Sequence, residues 1–209
     1  MKLYSYWRTT TSYRVRIALG MNGLKADIIP IELVAGAQTV ANYATLNPIK
    51  GALTLVTDAG DVLTQSTAIL DYLDQIASEP PLLPTGDPVQ RARVLAAAMA
   101  FATDVHPVNN LKVVGRLKSL AGDDTGIPWM RHCMTEGFTA FAALIEAETP
   151  FCFGDTPMLA DICLVAQLCN SHRWGVDLTP FARLTEIEAR RLALPAFATG
   201  RPENQKDAS

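Results

Sequence analysis

The side chains with the most chemistry to offer lie in one short run, Arg8-Thr9-Thr10-Thr11-Ser12-Tyr13-Arg14-Val15-Arg16. Ahead of it, the alternation Lys2-Leu3-Tyr4-Ser5-Tyr6 reads as a strand. Behind it, Val15 to Met21 reads as an amphipathic helix stopped by Asn22-Gly23. Four hydroxyls therefore stand where a strand turns into a helix. There the first backbone N–H groups lack partners and the helix macrodipole is positive, so an anion is favoured. The plain use of such a hydroxyl is to cap the helix, with Thr11 or Ser12 as the cap. Its chemical use is to hold a thiolate, because a helix start lowers a thiol pKa. No cysteine lies in the run, so that thiol has to arrive on a ligand. For Arg14 and Arg16 the reading is a structural ion pair or a solvated helix face.

The elements that must position this run follow from patterning. Ala26 to Ile31 is a short β-branched strand, and Pro30 places it at a sheet edge. Gln38 to Leu46 is weakly helical and Asn47-Pro48 ends it. Asp58-Ala59-Gly60-Asp61 turns a hairpin between Leu53–Val56 and Val62-Leu63. Ser66 opens a helix from Thr67 to Ala77 with Ile69, Leu70, Leu73 and Ile76 on one face. The order β-α-β-α-β-β-α makes a compact α/β unit over residues 1–78. Residues 79–88 hold four prolines and a glycine and read as a linker. From residue 89 to 209 the pattern is helical. Val89 to Leu120 is bent at His106-Pro107, Pro128 to Glu148 is amphipathic, and Leu159 to Asn170 is apolar enough for a central buried helix. Phe181 to Leu192 is a further helix, and the polar tail from Gly200 is expected to be loose.

Bulk composition narrows the function. The chain has 209 residues, 49% apolar and 19% charged, with a net charge of −3. Nucleic acid and anionic membrane partners would need clustered Lys and Arg, which are missing. No apolar stretch reaches 18 residues, and neither a leader nor a membrane span is expected, which makes the cytoplasm the default location. Cys133, Cys152, Cys163 and Cys169 have no metal-ligand spacing and read as reduced structural thiols. The spacing of His106, His132 and His172 assigns no metal.

Several segments together resemble the zeta class of glutathione transferases, which includes maleylacetoacetate and maleylpyruvate isomerases. They are Tyr6-Trp7-Arg8 with the hydroxyl run and Arg14 to Leu19, Leu46-Asn47-Pro48 with Lys50, Gln65-Ser66, and Asp104 to Asn110. Gly154-Asp155, Leu159-Ala160-Asp161 and Arg173 to Pro180 follow in the same order. The resemblance implies a thioredoxin-like domain followed by an all-helical domain, bound glutathione, and a homodimer. It places Thr9 where the family carries its usual serine, with Thr10 and Thr11 beside it. It also implies glutathione contacts from Gln38, Lys50, Ala52, Gln65, Ser66, His106 and Asn110. Dianionic maleyl substrates need carboxylate partners, for which Arg8 is the first candidate and Lys112 and Arg173 are further ones.

The activity so implied is cis–trans isomerisation of a maleyl-type or related conjugated acid by reversible addition of a thiolate. The alternatives are glutathione conjugation or dehalogenation, or a repurposed fold with weak glutathione binding acting on a specialised metabolite. Two departures from the family bear on this. Ala52-Leu53 stands where relatives have Val-Pro with a cis bond. Without proline a cis bond costs about 3–4 kcal/mol, so a trans bond is expected. Met158 replaces the Ser or Thr cap three residues before Asp161, which costs about 1 kcal/mol unless Thr156 or Asp155 caps the helix a turn earlier.

Overall fold

The computed structural model describes residues 1–77 and 79–208. Ser78, the expected last residue of the first domain, lies outside them. The chain forms two compact units, one of Met1–Leu82 with the tail from Leu192, the other of Leu83–Arg191.

The first unit is built on a four-stranded sheet. Its strands are β1 (Lys2–Ser5), β2 (Asp27–Pro30), β3 (Thr54–Val56) and β4 (Val62–Thr64), ordered β2-β1-β3-β4. β1 runs parallel to β2, with Leu3 opposite Ile28, and antiparallel to β3, with Leu3 opposite Leu55. A right-handed helix crossover is what lets parallel β1 and β2 be neighbours. That crossover is α1 (Thr10–Met21). β2 is an edge strand, as Pro30 requires. A 3₁₀ turn (Ala37–Thr39) and α2 (Ala41–Leu46) precede β3, and α3 (Ser66–Ile76) follows the β3–β4 hairpin. Leu3, Ile17, Leu55, Ile69 and Leu73 form the dry interior of the unit.

The tail belongs to this unit and not to the helical one, which corrects the expected boundary. Helix α10 (Pro195–Gly200) packs on α1 through small residues. A Cβ on Gly20 would lie 3.1 Å from the Ala196 Cβ, and one on Gly200 would lie 3.3 Å from the Ile17 amide nitrogen. Two long-range hydrogen bonds fasten the crossing, Tyr13 Oη to the Phe197 carbonyl at 3.1 Å and Arg16 Nε to the Gly200 carbonyl at 2.9 Å. Nor is the end of the chain loose as expected. Pro202–Asn204 forms a 3₁₀ turn, and Asn204 and Gln205 donate side-chain hydrogen bonds back to Ala198 and Thr199.

The second unit is helical: α4 (Pro88–Met99), a π-helical segment (Ala100–Val105), α5 (His106–Val108), α6 (Leu111–Ala121), α7 (Gly126–Leu144), α8 (Leu159–Trp174) and α9 (Ala182–Leu192). The long helix expected from 89 to 120 is therefore interrupted twice. Pro107 removes one N–H from the ladder, and Thr103 Oγ1 donates back to the Met99 carbonyl at 2.9 Å, both of which bend a helix. Gly137 on α7 receives the π-helical segment: a Cβ there would sit 2.2 Å from Val105 Cγ2. Phe101 stacks on Phe141 at 4.5 Å and meets Phe138 edge-on at 5.4 Å. α8 is buried almost throughout, as its apolar sequence demands.

The start of α8 corrects the capping expectation. Neither Thr156 nor Asp155 opens it a turn early, since the helix begins at Leu159. Asp161 reaches back instead, accepting the Met158 amide at 3.0 Å and the Cys152 amide at 3.1 Å. It also accepts Arg191 Nε and Nη2 at 3.1 and 2.8 Å.

Candidate active site

Where β1 ends and α1 begins, a small hydroxyl network forms. Thr9 is the N-cap: its Oγ1 accepts the Ser12 amide at 3.2 Å. This corrects the assignment of the cap to Thr11 or Ser12. The same hydroxyl has two acceptors for its single proton, Ser12 Oγ at 2.7 Å and the Tyr6 carbonyl at 3.3 Å. Thr11 Oγ1 donates to Thr9 Oγ1 at 3.3 Å. Thr9 and Thr11 are half-buried and Thr10 is buried. Hydroxyl protons rotate freely, so this network can turn donors toward an anion arriving at the helix start without moving a heavy atom.

Arg8 joins this group through Tyr6. Its Nε and Nη2 donate to Tyr6 Oη at 3.3 and 2.9 Å, and its guanidinium lies 4.8 Å from the Trp7 ring centroid. Stacking on an aromatic face holds the cation in place at the strand end. Arg16 is 7% exposed, so it does not stand on a solvated helix face. Its Nε, Nη1 and Nη2 donate to the Gly200 carbonyl, Ser5 Oγ and the Trp7 carbonyl at 2.9, 3.1 and 2.8 Å. Arg14 departs from expectation further: it is 1% exposed, with Nε and Nη2 unpartnered.

The loop from Asn47 to Thr54 is organised by two side chains, Asn47, read from the sequence as part of a helix stop, and Tyr43, which that reading passed over. Asn47 Nδ2 reaches the Gly51 carbonyl, the Leu53 carbonyl and Thr54 Oγ1 at 3.1, 3.0 and 3.2 Å. Tyr43 Oη donates to the Gly51 carbonyl at 2.8 Å and lies 2.9 Å from Thr54 Oγ1. Burial raises the Tyr43 pKa, so the phenol keeps its proton. Asn47 in the quoted Leu-Asn-Pro segment was the available signal. Lys50 takes a left-handed turn at φ 58° and is exposed. Ala52 and Leu53 are both buried, and the bond between them is trans, as expected, the one cis bond among the described residues being Glu79–Pro80. The Ala52 N–H and C=O form no hydrogen bond among the described residues.

Gln65 and Ser66 stand at the start of α3. Gln65 sits at φ 68°, ψ 121°, an unusual conformation for a residue with a side chain and one that marks functional loops. No side chain caps α3, which leaves the amides of its first turn available to a carboxylate. Gln38, in the 3₁₀ turn before α2, has a buried Oε1 without a partner.

The candidates of the second unit lie on three elements. Asn110 caps α6, its Oδ1 accepting the Lys112 amide at 3.0 Å. His106 lies half-buried on α5, one turn earlier, and Lys112 is exposed in the first turn of α6. Arg173 is apart from these, exposed in the last turn of α8, where Nη2 donates to Asn170 Oδ1 at 2.9 Å and the guanidinium lies over Trp174.

Comparison with known proteins agrees with this arrangement. Residues 1–75 match the glutathione S-transferase N-terminal domain. The maleylacetoacetate isomerase of Dictyostelium discoideum is 39% identical over 99% of this chain and 95% of its own. The holo structure of a maleylpyruvate isomerase, a bacterial glutathione S-transferase in the zeta class, superposes with a TM-score of 0.95 at 34% identity, covering 100% of both chains. A maleylacetoacetate isomerase from Methylobacterium extorquens AM1 with bound malonate and glutathione also reaches 0.95, at 32% identity over 100% of both chains. A thioredoxin-like sheet followed by a helical unit, with hydroxyls at the start of the first helix, defines a glutathione transferase. More narrowly, the chain belongs to the zeta-class maleylacetoacetate isomerase family.

Proposed function

We propose that this chain is a glutathione-dependent cis–trans isomerase of a maleyl-type conjugated acid. The observation that carries the reading is the cluster of Thr9, Thr10 and Thr11 at an anion-favouring helix start in a chain with full-length isomerase relatives. The residues suit glutathione. The unpaired Ala52 N–H and C=O can pair with a peptide backbone, the uncapped start of α3 at Gln65 and Ser66 can take a carboxylate, and Gln38 Oε1 lacks a donor. Lys50, exposed beside them, adds a cation for a terminal carboxylate.

Bound glutathione supplies a thiolate, both a soft nucleophile and a good leaving group, whose reversible addition frees rotation about a conjugated double bond. The protein's part is electrostatic and orienting. The hydroxyls of Thr9 and Thr11, with Thr10 beside them, turn their protons toward the sulfur and hold it ionised. Arg8, held on Tyr6 and Trp7, presents its remaining donors to a substrate carboxylate. His106 and Asn110 are assigned to glutathione on the family resemblance, and Lys112 and Arg173 to substrate as cations for its carboxylates. We infer further that the enzyme acts as a homodimer, as the family does. We also infer that it acts in the cytoplasm, in keeping with four free cysteines. No helix among the described residues is long and apolar enough to cross a membrane.

The test is a thiol count during turnover. With maleylpyruvate or maleylacetoacetate and a small, fixed amount of glutathione, the cis acid converts to its trans isomer over many turnovers while free thiol stays constant. Loss of one thiol per substrate would assign conjugation instead. Conversion at an unchanged rate without glutathione would assign the repurposed fold.

A further inference from the structure

Arg14 lies on α1, one turn past Thr10 and on the same face of the helix. Its unpartnered Nε and Nη2 form one edge of the guanidinium, the edge with which Arg191 grips Asp161. α1 carries no acidic residue to meet it, and neither does α10. α3, the other helix of the first unit packed on α1, brings Asp71, Tyr72 and Asp74. Asp74 accepts the Leu82 amide at 2.7 Å, and neither aspartate pairs with Arg14. Tyr13 and Arg16, the other titratable groups of α1, are bonded to the tail.

Among the described residues this cation meets no counter-ion. Carrying it in the interior is costly, which points to a use. Long helical side chains lean toward the helix N-terminus, so Arg14 directs its charge toward the first turn, whose Thr10 Cα lies about 6 Å away along the axis. The charge therefore adds to the macrodipole at the place where Thr9 to Thr11 gather.

We propose that Arg14 stabilises the thiolate form of a thiol bound at the start of α1, acting through space from a dry site and not by contact. This rests on the glutathione reading above. Arg14 is thus a positioning residue for charge, and its effect belongs to the thiol's ionisation. At a separation on the order of 10 Å and an effective permittivity of about 20, a unit charge shifts the titration midpoint by about one pH unit.

The experiment follows the ultraviolet absorbance of bound glutathione thiolate against pH in the wild type, Arg14→Met and Arg14→Lys. Arg14→Met moves the midpoint up by about one unit. Arg14→Lys, which keeps the charge and loses the fork, stays within a few tenths of the wild type. If Arg14→Met does not fold, Arg14→Gln serves as the neutral variant with the same expected shift. A midpoint unmoved in the neutral variant overturns the proposal while leaving the glutathione reading intact. So does an equal shift in Arg14→Lys, which would assign the effect to shape. A wild-type protein that gives no bound-thiolate absorbance at any pH overturns both.

Discussion

Arg191 in the helical unit and Arg14 in the sheet unit are both fully buried, yet among the described residues only Arg191 has a counter-ion. Burial pulls the Arg191 pKa down and the Asp161 carboxylate opposes it, with both side chains 0% exposed. The same carboxylate satisfies the Met158 and Cys152 amides, so one buried ion closes the start of α8 and ties α9 to it. That is a charge used for architecture, with its partners inside the fold. Among the described residues Arg14 meets no such partner, and it stands one turn past Thr10 on α1. The contrast separates a cation spent on packing from one left over for chemistry.

Substitutions sharpen this contrast, the largest effect first. Asp161→Ala leaves Arg191 unpaired and two buried amides unsatisfied, and is expected to destabilise the protein by about 3–5 kcal/mol in urea unfolding. Arg14→Met, which removes a charge without a partner, should unfold at or above the wild-type midpoint. A loss as large as that of Asp161→Ala would erase the distinction between the two arginines.

Thr9→Ala removes both a cap and a donor. The cap is worth about 1 kcal/mol of stability, whereas loss of a preorganised donor lowers kcat by about 10²-fold. Thr9→Ser should remain within a few-fold of the wild type in steady-state kinetics. Equal losses in both variants would contradict a role for the hydroxyl. Gly137→Ala pushes a methyl into Val105 and is expected to cost about 1–3 kcal/mol, read as a lowered melting temperature.

The smallest effects are in thiol labelling. Burial raises the Cys133 thiol pKa, and raises that of Cys152 well above its ordinary value, so both are mostly protonated at neutral pH. Half-exposed Cys133 should alkylate slowly at pH 7 and faster as pH rises, while Cys152 should stay unlabelled until the protein unfolds. Rapid labelling of Cys152 in the native protein would show that its site opens.

Much of this was legible in the amino-acid sequence. Pro30 identified the edge strand, Asp58 to Asp61 the hairpin, and the apolar run from Leu159 the central helix, because each is a local rule with a local cause. The hydroxyl run was legible as a helix start, but among four adjacent hydroxyls the cap was placed at Thr11 or Ser12 and not at Thr9. What stayed hidden depends on distant partners. The tail packs on α1 across 184 residues of chain through glycine and alanine, which carry no periodic signal. Arg14 and Arg16 read as a structural ion pair or a solvated face because charge normally marks the outside of a helix, whereas α1 is buried on nearly every side. Of the interruption that includes the π-helical segment, only the bend at His106-Pro107 was legible.

The most direct test of a thiolate at the start of α1 is a crystal structure with glutathione bound. The sulfur is expected within hydrogen-bonding distance of the Thr9 or Thr11 hydroxyl, with the tripeptide backbone paired to Ala52. A sulfur bound elsewhere, or a tripeptide kept out by the Leu53 side chain, would contradict the assigned chemistry.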